Sequence, residues 1–273
     1  MNFFKLQATG NDFILVDARY IKHDWTMLAR AMCNRHYGVG SDGLILVLNS
    51  KKADFRMRMF NPDGSEAEVC GNGLRCFARY IVDHGLADAS EITIETIAGL
   101  RRVEPCTGDW LKVNMGMPNF KPEDIPVSVE KVDIIPIMDY LISIDGREFP
   151  LSFVSVGNPH AVCFIEESVI DFPLFEIGPV IEHYSIFPQR VNFEVANILS
   201  RKEIKARVWE RGAGETLACG SGACAIAIAA KLHDYIDSPV NIQLPGGMVS
   251  VEWDGKGEAY LSGGAQLIFK GEW

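Results

Sequence analysis

The chain lacks the features that would direct it to a membrane, to nucleic acid or out of the cell. No apolar run approaches the roughly 18 residues that a membrane span needs. The first residues, MNFFKLQATGNDF, contain no apolar segment of the kind found in a secretory signal. Lysine and arginine total 26 against 36 aspartate and glutamate, and they form no basic cluster. We therefore expect a cytoplasmic protein with neither a nucleic-acid partner nor a membrane partner.

The seven cysteines also lack the spacing of a metal site. Five residues separate Cys70 from Cys76 and four separate Cys219 from Cys224, and neither is the short pair typical of a zinc knuckle. Without a secretory signal, the thiols are expected to stay reduced in the cytosol. The sequence thus predicts no bound metal.

A cysteine-glycine segment occurs twice in the chain. EVCGNGLRCFARY (residues 68–80) and LACGSGACAIAIA (residues 217–229) each place Cys-Gly-x-Gly before a run with helical character. At the same offset of 149 residues, the alternating segments DFRMRMFN and EIKARVWE predict half-buried strands. TGNDFILV and VGNPHAVCF also place Gly-Asn before a strand in each half. We infer a gene duplication.

The remaining pattern predicts an α+β fold of two pseudo-symmetric halves, each a mostly antiparallel sheet around a central helix. The proline-rich stretch 117–126 divides an N-terminal half, residues 1–117 with Cys70, from a C-terminal half, residues 118–263 with Cys219. Most other segments resemble strands. Helices are predicted over four ranges, 26–35, 74–84, 172–181 and 223–235.

A cysteine at the start of a helix lies at the positive end of the helix dipole. Its thiol pKa, about 8.5 when unperturbed, is expected to fall there towards neutrality. The glycines allow backbone N–H groups to approach an anionic ligand closely. Neither copy has the Gly-Lys-Ser/Thr of a phosphate loop. GSGACA loosely fits a dinucleotide-binding turn, but no acidic residue lies in a strand about 20 residues after it, as such a site requires. A small buried cysteine in a tight turn remains the alternative.

Two such thiols indicate acid–base chemistry on an amino acid. If the halves face each other, one thiolate can remove the α-proton while the opposite thiol protonates the other face. The helix starts would bind the α-carboxylate and stabilise its developing charge. The expected reaction is inversion at Cα without pyridoxal phosphate.

The motifs resemble those of the diaminopimelate epimerase family. NPDGSEAEVCGNGLRCFAR (residues 61–79) is similar to the family signature, and ERGAGETLACGSGACA (residues 210–225) is similar to its second cysteine segment. TGNDF, RHYGVGSDG, GNPHAV and VNFEVAN occur in the family's order, so the resemblance covers essentially the whole chain. It implies conversion of LL-2,6-diaminopimelate to the meso isomer, for lysine and peptidoglycan, by a homodimer without a cofactor. It also implies that a last strand within residues 264–273 returns to the N-terminal half.

The resemblance also assigns residues by position. Cys70 and Cys219 would be the acid/base thiols, and His160 and Glu210 would lie near them and tune their pKa values. The reacting end of the substrate would be lined by Asn11, Gly71, Asn72, Gly220 and Ser221. The distal end, which is not inverted, would be recognised by Asn61, Asn158, Asn192, Glu210 and Arg211.

Plain alternatives accompany these assignments. Asparagine beside glycine or proline is common in turns, and a Glu-Arg pair is common at a solvated strand end. Gly43 stands where many family members have a substrate-contacting glutamine, so that contact is not carried over. A racemase of another amino acid, such as histidine, would share the thiols with a different distal pocket. A thiol-bearing binding protein would hold diaminopimelate without exchanging its α-proton.

Overall fold

The computed structural model describes residues 1–67, 70–87, 90–129 and 134–273. Glu68 and Val69, part of the first cysteine motif, lie outside the described residues. The chain divides into two compact units. Met1–Asn114 and Ser262–Trp273 form the first unit, and Met115–Leu261 form the second. The sequence predicts divisions after residues 117 and 263, within a few residues of these.

The elements before residue 117 are, in chain order, β1 (Asn2–Ala8), β2 (Asn11–Asp17), α1 (Trp25–Cys33), β3 (Gly43–Leu48), β4 (Phe55–Phe60), β5 (Glu66–Ala67), α2 (Gly71–Asp83), β6 (Ile92–Thr96), β7 (Gly99–Pro105) and β8 (Trp110–Gly116). The elements that follow are β9 (Tyr140–Ile144), β10 (Arg147–Ser155), β11 (Pro159–Phe164), α3 (Leu174–Glu182), β12 (Asn192–Ser200), β13 (Glu203–Glu210), β14 (Gly214–Thr216), α4 (Gly220–Leu232), β15 (Val240–Leu244), β16 (Gly247–Glu252), β17 (Ala259–Gly264) and β18 (Gln266–Glu272).

The two units repeat one pattern of strand pairing. In the first, β1 is antiparallel to β2, β2 parallel to β3, and β3 antiparallel to β4, which pairs antiparallel with β5 and parallel with β6. In the second, β10, β11, β12, β13, β14 and β15 pair in the same succession with the same directions. The bounds of α3 and α4 also lie 149 residues beyond those of α1 and α2. The predicted α+β class is confirmed.

Each unit packs its strands around one central helix. Helix α4, nearly all alanine and isoleucine in its middle, is buried from Gly222 to Ala230 and packs against β10, β11, β12, β15 and β16. Helix α2 is buried from Gly71 to Ala78 and packs against β1, β2, β3, β7 and β18. Removal of this apolar surface from water is the main force that holds each helix in place.

The central helices begin earlier than the sequence predicts. The structure starts α2 at Gly71 and α4 at Gly220, whereas the pattern predicts starts at Leu74 and Ala223. The glycines read as loop because they are poor helix formers, yet their backbone accepts helical dihedrals without steric cost. Consequently the cysteines themselves become the N-cap residues.

The C-terminal strand belongs to the first unit. Strand β18 is antiparallel to β1, with Asn2 opposite Glu272. The backbone N–H of Trp273 also donates to the Met1 carbonyl at 2.9 Å. No helix among the described residues is long and apolar enough to cross a membrane.

Candidate active site

Each unit carries its candidate thiol at the same structural position. Cys70 is the N-cap residue of α2 (φ −127°, ψ 124°), and Cys219 is the N-cap residue of α4 (φ −113°, ψ 116°). The first N–H groups of a helix have no partner within the helix and carry partial positive charge. Each cysteine therefore lies beside a place where a carboxylate can bind.

A duplicated ion pair supports the chain as it approaches each cysteine. In the first unit, Arg58 Nε and Nη2 donate to the two carboxylate oxygens of Glu66 at 2.7 and 2.8 Å. In the second, Arg207 donates in the same bidentate way to Glu215 at 2.7 and 3.0 Å. Each pair joins the two strands of the hairpin that precedes the cysteine, β4 to β5 or β13 to β14. At the offset of 149 residues, Glu215 corresponds to Glu66 and Arg207 to Arg58, and this repetition is the sequence signal for the ion pair.

Two asparagines, Asn11 and Asn158, occupy equivalent turns in the two units. Each follows a glycine with positive φ, 81° at Gly10 and 89° at Gly157; Asn11 is the first residue of β2, and Asn158 directly precedes β11. Glycine adopts this backbone conformation without the strain that a side chain would add. The repeated Gly-Asn pair in the sequence therefore marks two turns that hold asparagine side chains in related positions.

In the first unit, the amide of Asn11 presents its oxygen to the thiol. The Cys70 thiol donates to Asn11 Oδ1 at 3.7 Å, and Asn72 Nδ2 donates to the same oxygen at 3.2 Å. Buried Arg75 donates in turn to Asn72 Oδ1 at 2.7 Å and to Thr9 Oγ1 at 3.0 Å. These bonds fix the orientation of both amides beside Cys70. The structure thus brings together three predicted site residues and adds Arg75, which sequence reasoning missed.

The other end of the Asn11 amide is held by a charged network. Asn11 Nδ2 donates to Asp42 Oδ2 at 2.6 Å, and Arg35 bonds both Asp42 and Asp12. Burial opposes ionisation of Asp12, but its bonds to Arg35 and Lys5 hold the pKa of that carboxyl below its usual value. Arg35 and Asp42 are the first and last residues of RHYGVGSD, so the sequence shows the motif. It does not show that these two residues bond to Asp12 and Asn11.

Gly43 begins β3 where the backbone of β4 lies close by. A Cβ atom at Gly43 would be 3.0 Å from the carbonyl oxygen of Phe60 and 3.5 Å from the ring of Phe13. A longer side chain at this position would require a shift of the neighbouring strand.

Asn61 closes a turn between β4 and β5. Its side-chain Nδ2 donates to Ser65 Oγ at 3.0 Å, and its carbonyl accepts from Gly64 N at 2.9 Å. The turn role expected as the plain alternative is therefore present. Its role towards a substrate stays a prediction.

Cys219 is buried, with 6% of its area exposed. Its Sγ accepts from Gly222 N at 3.4 Å and lies 3.4 Å from Ser221 Oγ. Burial and the negative charge of Glu210 raise the pKa of this thiol well above its usual value, although the bonds from Ser221 and Gly222 act in the opposite direction. The expectation of an acidified thiol is wrong for Cys219, because desolvation outweighs the helix start.

His160 lies in a buried hydrogen-bonded chain in the second unit. Its Nδ1 is 2.7 Å from Glu194 Oε1, and its Nε2 is 2.9 Å from Asn158 Oδ1. Both His160 and Glu194 are fully buried. Burial raises the pKa of Glu194, while His160 lowers it and Glu210 raises it further. Sequence reasoning missed Glu194, although it lies within the motif VNFEVAN, because no residue near it in the chain indicates its partner His160.

The remaining predicted residues of the second unit surround the turn after β13. Asn192 accepts from Arg211 N at 2.9 Å and donates to the Pro159 carbonyl at 2.8 Å, so its amide joins two segments of the site. Glu210 accepts from Thr216 Oγ1 at 2.5 Å. The exposed side chain of Arg211 donates to the Gln189 carbonyl at 3.2 Å. No ion pair forms between Glu210 and Arg211 within the described residues.

The sequence of the whole chain identifies its family. The family model described as Diaminopimelate epimerase matches residues 3–121 and 152–268. The diaminopimelate epimerase of Acetivibrio thermocellus is 44% identical over 278 residues, which cover 100% of this chain and 98% of the relative. That of Methanococcus maripaludis strain C6 is also 44% identical, with 100% and 99% covered. The chain belongs to the diaminopimelate epimerase family. It is therefore an isomerase.

Solved structures of other proteins share the fold of this chain. A phenazine biosynthesis protein of the PhzF family from Bacillus anthracis superposes with a TM-score of 0.72 at 19% identity, covering 100% of this chain and 98% of that one. A hydroxyproline epimerase from Agrobacterium vitis gives 0.70 at 13% identity, covering 99% and 91%. At these identities the likeness concerns the fold alone.

Family membership does not test the individual site residues. The geometry groups Asn11, Cys70 and Asn72 in the first unit. In the second unit it connects two segments, Asn158 with His160 and Asn192 with Arg211. Glu210 bonds to Thr216, and Ser221 lies beside Cys219. Gly71 and Gly220 are the first residues of their helices. Their roles towards a substrate stay predictions. No group of three histidine, cysteine, aspartate or glutamate residues that could hold a metal ion occurs in the described ranges.

Proposed function

We propose that this protein converts LL-2,6-diaminopimelate to the meso isomer with Cys70 and Cys219, one of which removes an α-proton while the other delivers its own proton to the opposite face. The observation that carries the proposal is the duplicated N-cap position of the two cysteines. Each caps a 13-residue helix that is buried against the strands of its own unit. Both units have kept this cysteine beside Gly-x-Gly after the duplication, although other equivalent positions have diverged, such as Ile45 in the first unit and Glu194 in the second.

The chemistry needs one thiolate and one thiol. The thiolate removes the α-proton and forms a carbanion whose charge spreads into the carboxylate, and the thiol then delivers its proton to the opposite face. Helix starts stabilise that developing charge, because their N–H groups point towards the bound carboxylate. The high pKa of Cys219 keeps it protonated near neutral pH, so in this state it suits the role of acid.

Recognition of the second amino acid head is assigned to the second unit and to Asn61. Arg211 can grip a carboxylate through two parallel N–H donors, and Glu210 can pair with an ammonium group. The exposed Arg211 guanidinium has no carboxylate partner within the described residues, which supports this role. Asn192 holds the Arg211 backbone through its amide oxygen, and it would therefore act mainly by placing that turn.

Two rival functions are separated by isotope exchange. Relatives named diaminopimelate epimerase along the whole chain do not favour a racemase of another amino acid such as histidine. Incubation in D₂O with LL-diaminopimelate, histidine and proline should place deuterium at Cα of diaminopimelate alone. A thiol-bearing binding protein would bind diaminopimelate without any exchange. Exchange in histidine instead of diaminopimelate would contradict the proposed substrate.

The two-thiol mechanism has a matched pair of variants. Cys70→Ala and Cys219→Ala should each abolish epimerisation, because the thiols act as one unit and each single loss removes about as much as both. Circular dichroism should show both variants folded. Full turnover by either variant would contradict the mechanism.

We further propose a cytoplasmic homodimer, as the family resemblance implies. Strand β18 supports a contact with a second copy, because Leu267, Ile268 and Phe269 on it are 43%, 54% and 46% exposed. Apolar side chains exposed on a strand are a common place for association. Sedimentation equilibrium should give twice the chain mass, and a monomer at micromolar concentration would contradict the dimer.

A further inference from the structure

A buried carboxylate lies behind the glycine turn of Cys219. Glu194 on β12 has no exposed area, and its Oε2 atom has no hydrogen-bond partner within the described ranges. A Cβ atom at Gly222 would be 3.0 Å from Glu194 Oε1, which places the carboxylate against the first turn of α4. An incompletely bonded carboxylate in such a place is costly to bury. Its presence calls for a function.

The first unit shows that the fold does not need this carboxylate. In the second unit His160 pairs with Asn192, two residues before Glu194, and in the first unit Phe13 pairs with Gly43, two residues before Ile45. A Cβ atom at Gly73 would meet Ile45 Cδ1 at 3.4 Å, just as one at Gly222 would meet Glu194. Phe13 and Ile45 are buried apolar residues. The His160–Glu194 pair therefore replaces an apolar pair that packs well in the sister unit.

The hydrogen bonds of His160 define where its protons lie. Asn158 Oδ1 is an acceptor only, so the His160 Nε2 atom 2.9 Å away carries a proton. His160 Nδ1 and Glu194 Oε1, 2.7 Å apart, then share a second proton. Burial raises the pKa of Glu194 and so favours a pair that holds this second proton, with no net charge. The nearby negative charge of Glu210 acts in the same direction.

We propose that Glu194 is a positioning residue of the substrate site. Glu194 holds His160 in the orientation in which the Nε2 proton bonds to Asn158 Oδ1, and this bond turns the Asn158 amide nitrogen towards a substrate carboxylate. Asn158 Nδ2 has no hydrogen-bond partner within the described ranges and is available to donate. The equivalent Asn11 is held the opposite way, with its nitrogen on Asp42 and its oxygen towards Cys70. The role of Glu194 rests on the proposed function, because it requires a substrate with a carboxylate at this end.

The first test reads the protons of His160 directly. Long-range ¹H–¹⁵N NMR on full-length protein with ¹⁵N-labelled histidine distinguishes the ring tautomers, and His160→Gln assigns the His160 signals among the six histidines. We expect a proton on Nε2 at pH 7. A neutral ring protonated only on Nδ1 would overturn the proposal, because Glu194 would then be an ionised acceptor and Asn158 would point its oxygen outwards.

The second test uses variants that separate positioning from charge and from packing. In Glu194→Gln the new amide can donate to His160 Nδ1, so the KM for diaminopimelate should stay within about twofold. In Glu194→Ile that bond is lost, and KM should rise about tenfold with a smaller change in kcat. The double variant His160→Phe with Glu194→Ile recreates the apolar pair of the first unit. It should fold and show a similarly raised KM.

The outcomes are distinct. An unchanged KM in folded Glu194→Ile or in the double variant would overturn the proposal, and so would a Glu194→Gln variant as impaired as Glu194→Ile. Ile45→Val serves as the packing control and should leave KM unchanged; an equal rise there would overturn the positioning role. If the wild-type protein exchanges no α-proton of diaminopimelate, the proposed function fails, while the NMR result still tests the hydrogen-bond chain of His160.

Discussion

Addition of one methyl group at Gly222 should disturb catalysis more than stability. Gly222 lies in the first turn of α4, and a Cβ atom there would be 3.0 Å from Glu194 Oε1, 3.3 Å from Cys219 Cβ and 3.4 Å from Cys219 Sγ. Glu194 cannot yield easily, because its oxygen is held 2.7 Å from His160 Nδ1. The first turn of α4 must therefore move away from Glu194 in Gly222→Ala, and the Cys219 side chain at its N-cap must move with it.

The size of the effect follows from these distances. Relief of the crowding requires a displacement of Sγ by a few tenths of an ångström. A misplacement of about 1 Å costs roughly a hundredfold in rate, so a third of that should lower kcat about fivefold. Alanine gains up to about 1 kcal/mol of helix propensity over glycine, and overpacking costs about 1 to 3 kcal/mol. The free energy of unfolding should fall by no more than about 2 kcal/mol.

Gly73 provides the matched control in the first unit. A Cβ atom there would meet Met57 Cε and Met59 Sδ at 3.3 Å and Ile45 Cδ1 at 3.4 Å, without any contact to the thiol within that range. Methionine side chains adapt easily to extra volume. Gly73→Ala should therefore keep kcat within about twofold and change the unfolding free energy between about 0 and 1 kcal/mol in the stabilising direction.

The assay compares kcat for diaminopimelate epimerisation with urea unfolding for both variants. The expected result is a loss of kcat in Gly222→Ala with little loss of stability, and neither loss in Gly73→Ala. Equal kcat values in the two variants would refute the reasoning, because the thiol of Cys219 would then not be confined by Gly222 and Glu194.

Three further predictions follow from the site. Glu210→Gln removes a charge that raises the pKa of Cys219, so iodoacetamide should label Cys219 faster at pH 8 in this variant than in the wild type. In the wild type the labelling rate should still increase with pH at pH 9, and equal labelling of the two proteins by mass spectrometry would contradict the prediction. Arg211→Lys keeps the charge but loses the planar fork, so its KM should rise about tenfold, and Arg211→Ala should bind at least as weakly. Arg207→Lys loses the bidentate bond to Glu215 and the hydrogen bonds to three backbone carbonyls, so urea unfolding should show about 2 to 3 kcal/mol less stability, and an unchanged midpoint would contradict that loss.

The sequence alone was sufficient for the family, the fold class, the repeated pattern of the two halves and the presence of a cysteine beside each central helix. These features rest on local signals that recur, such as alternating strands, the Gly-Asn turns and the Cys-Gly-x-Gly segments. Each signal involves residues close together in the chain, so periodicity and backbone preference make it readable. Even the misplaced starts of α2 and α4 follow from the same local logic, since glycine usually indicates a loop.

Only the tertiary structure determined the pKa values of the site residues and the direction of their hydrogen bonds. The raised pKa of Cys219 depends on its burial, which comes from strands far from it in the chain. In the sequence, Glu194 is a single charged residue within an apolar strand. In the structure it bonds to His160 on β11, which lies 34 residues away in the chain. Asn11 and Asn158 share a motif, yet Asp42 holds one by its nitrogen and His160 holds the other by its oxygen. Desolvation and hydrogen-bond direction depend on which distant groups meet, and no pattern of neighbouring residues contains that information.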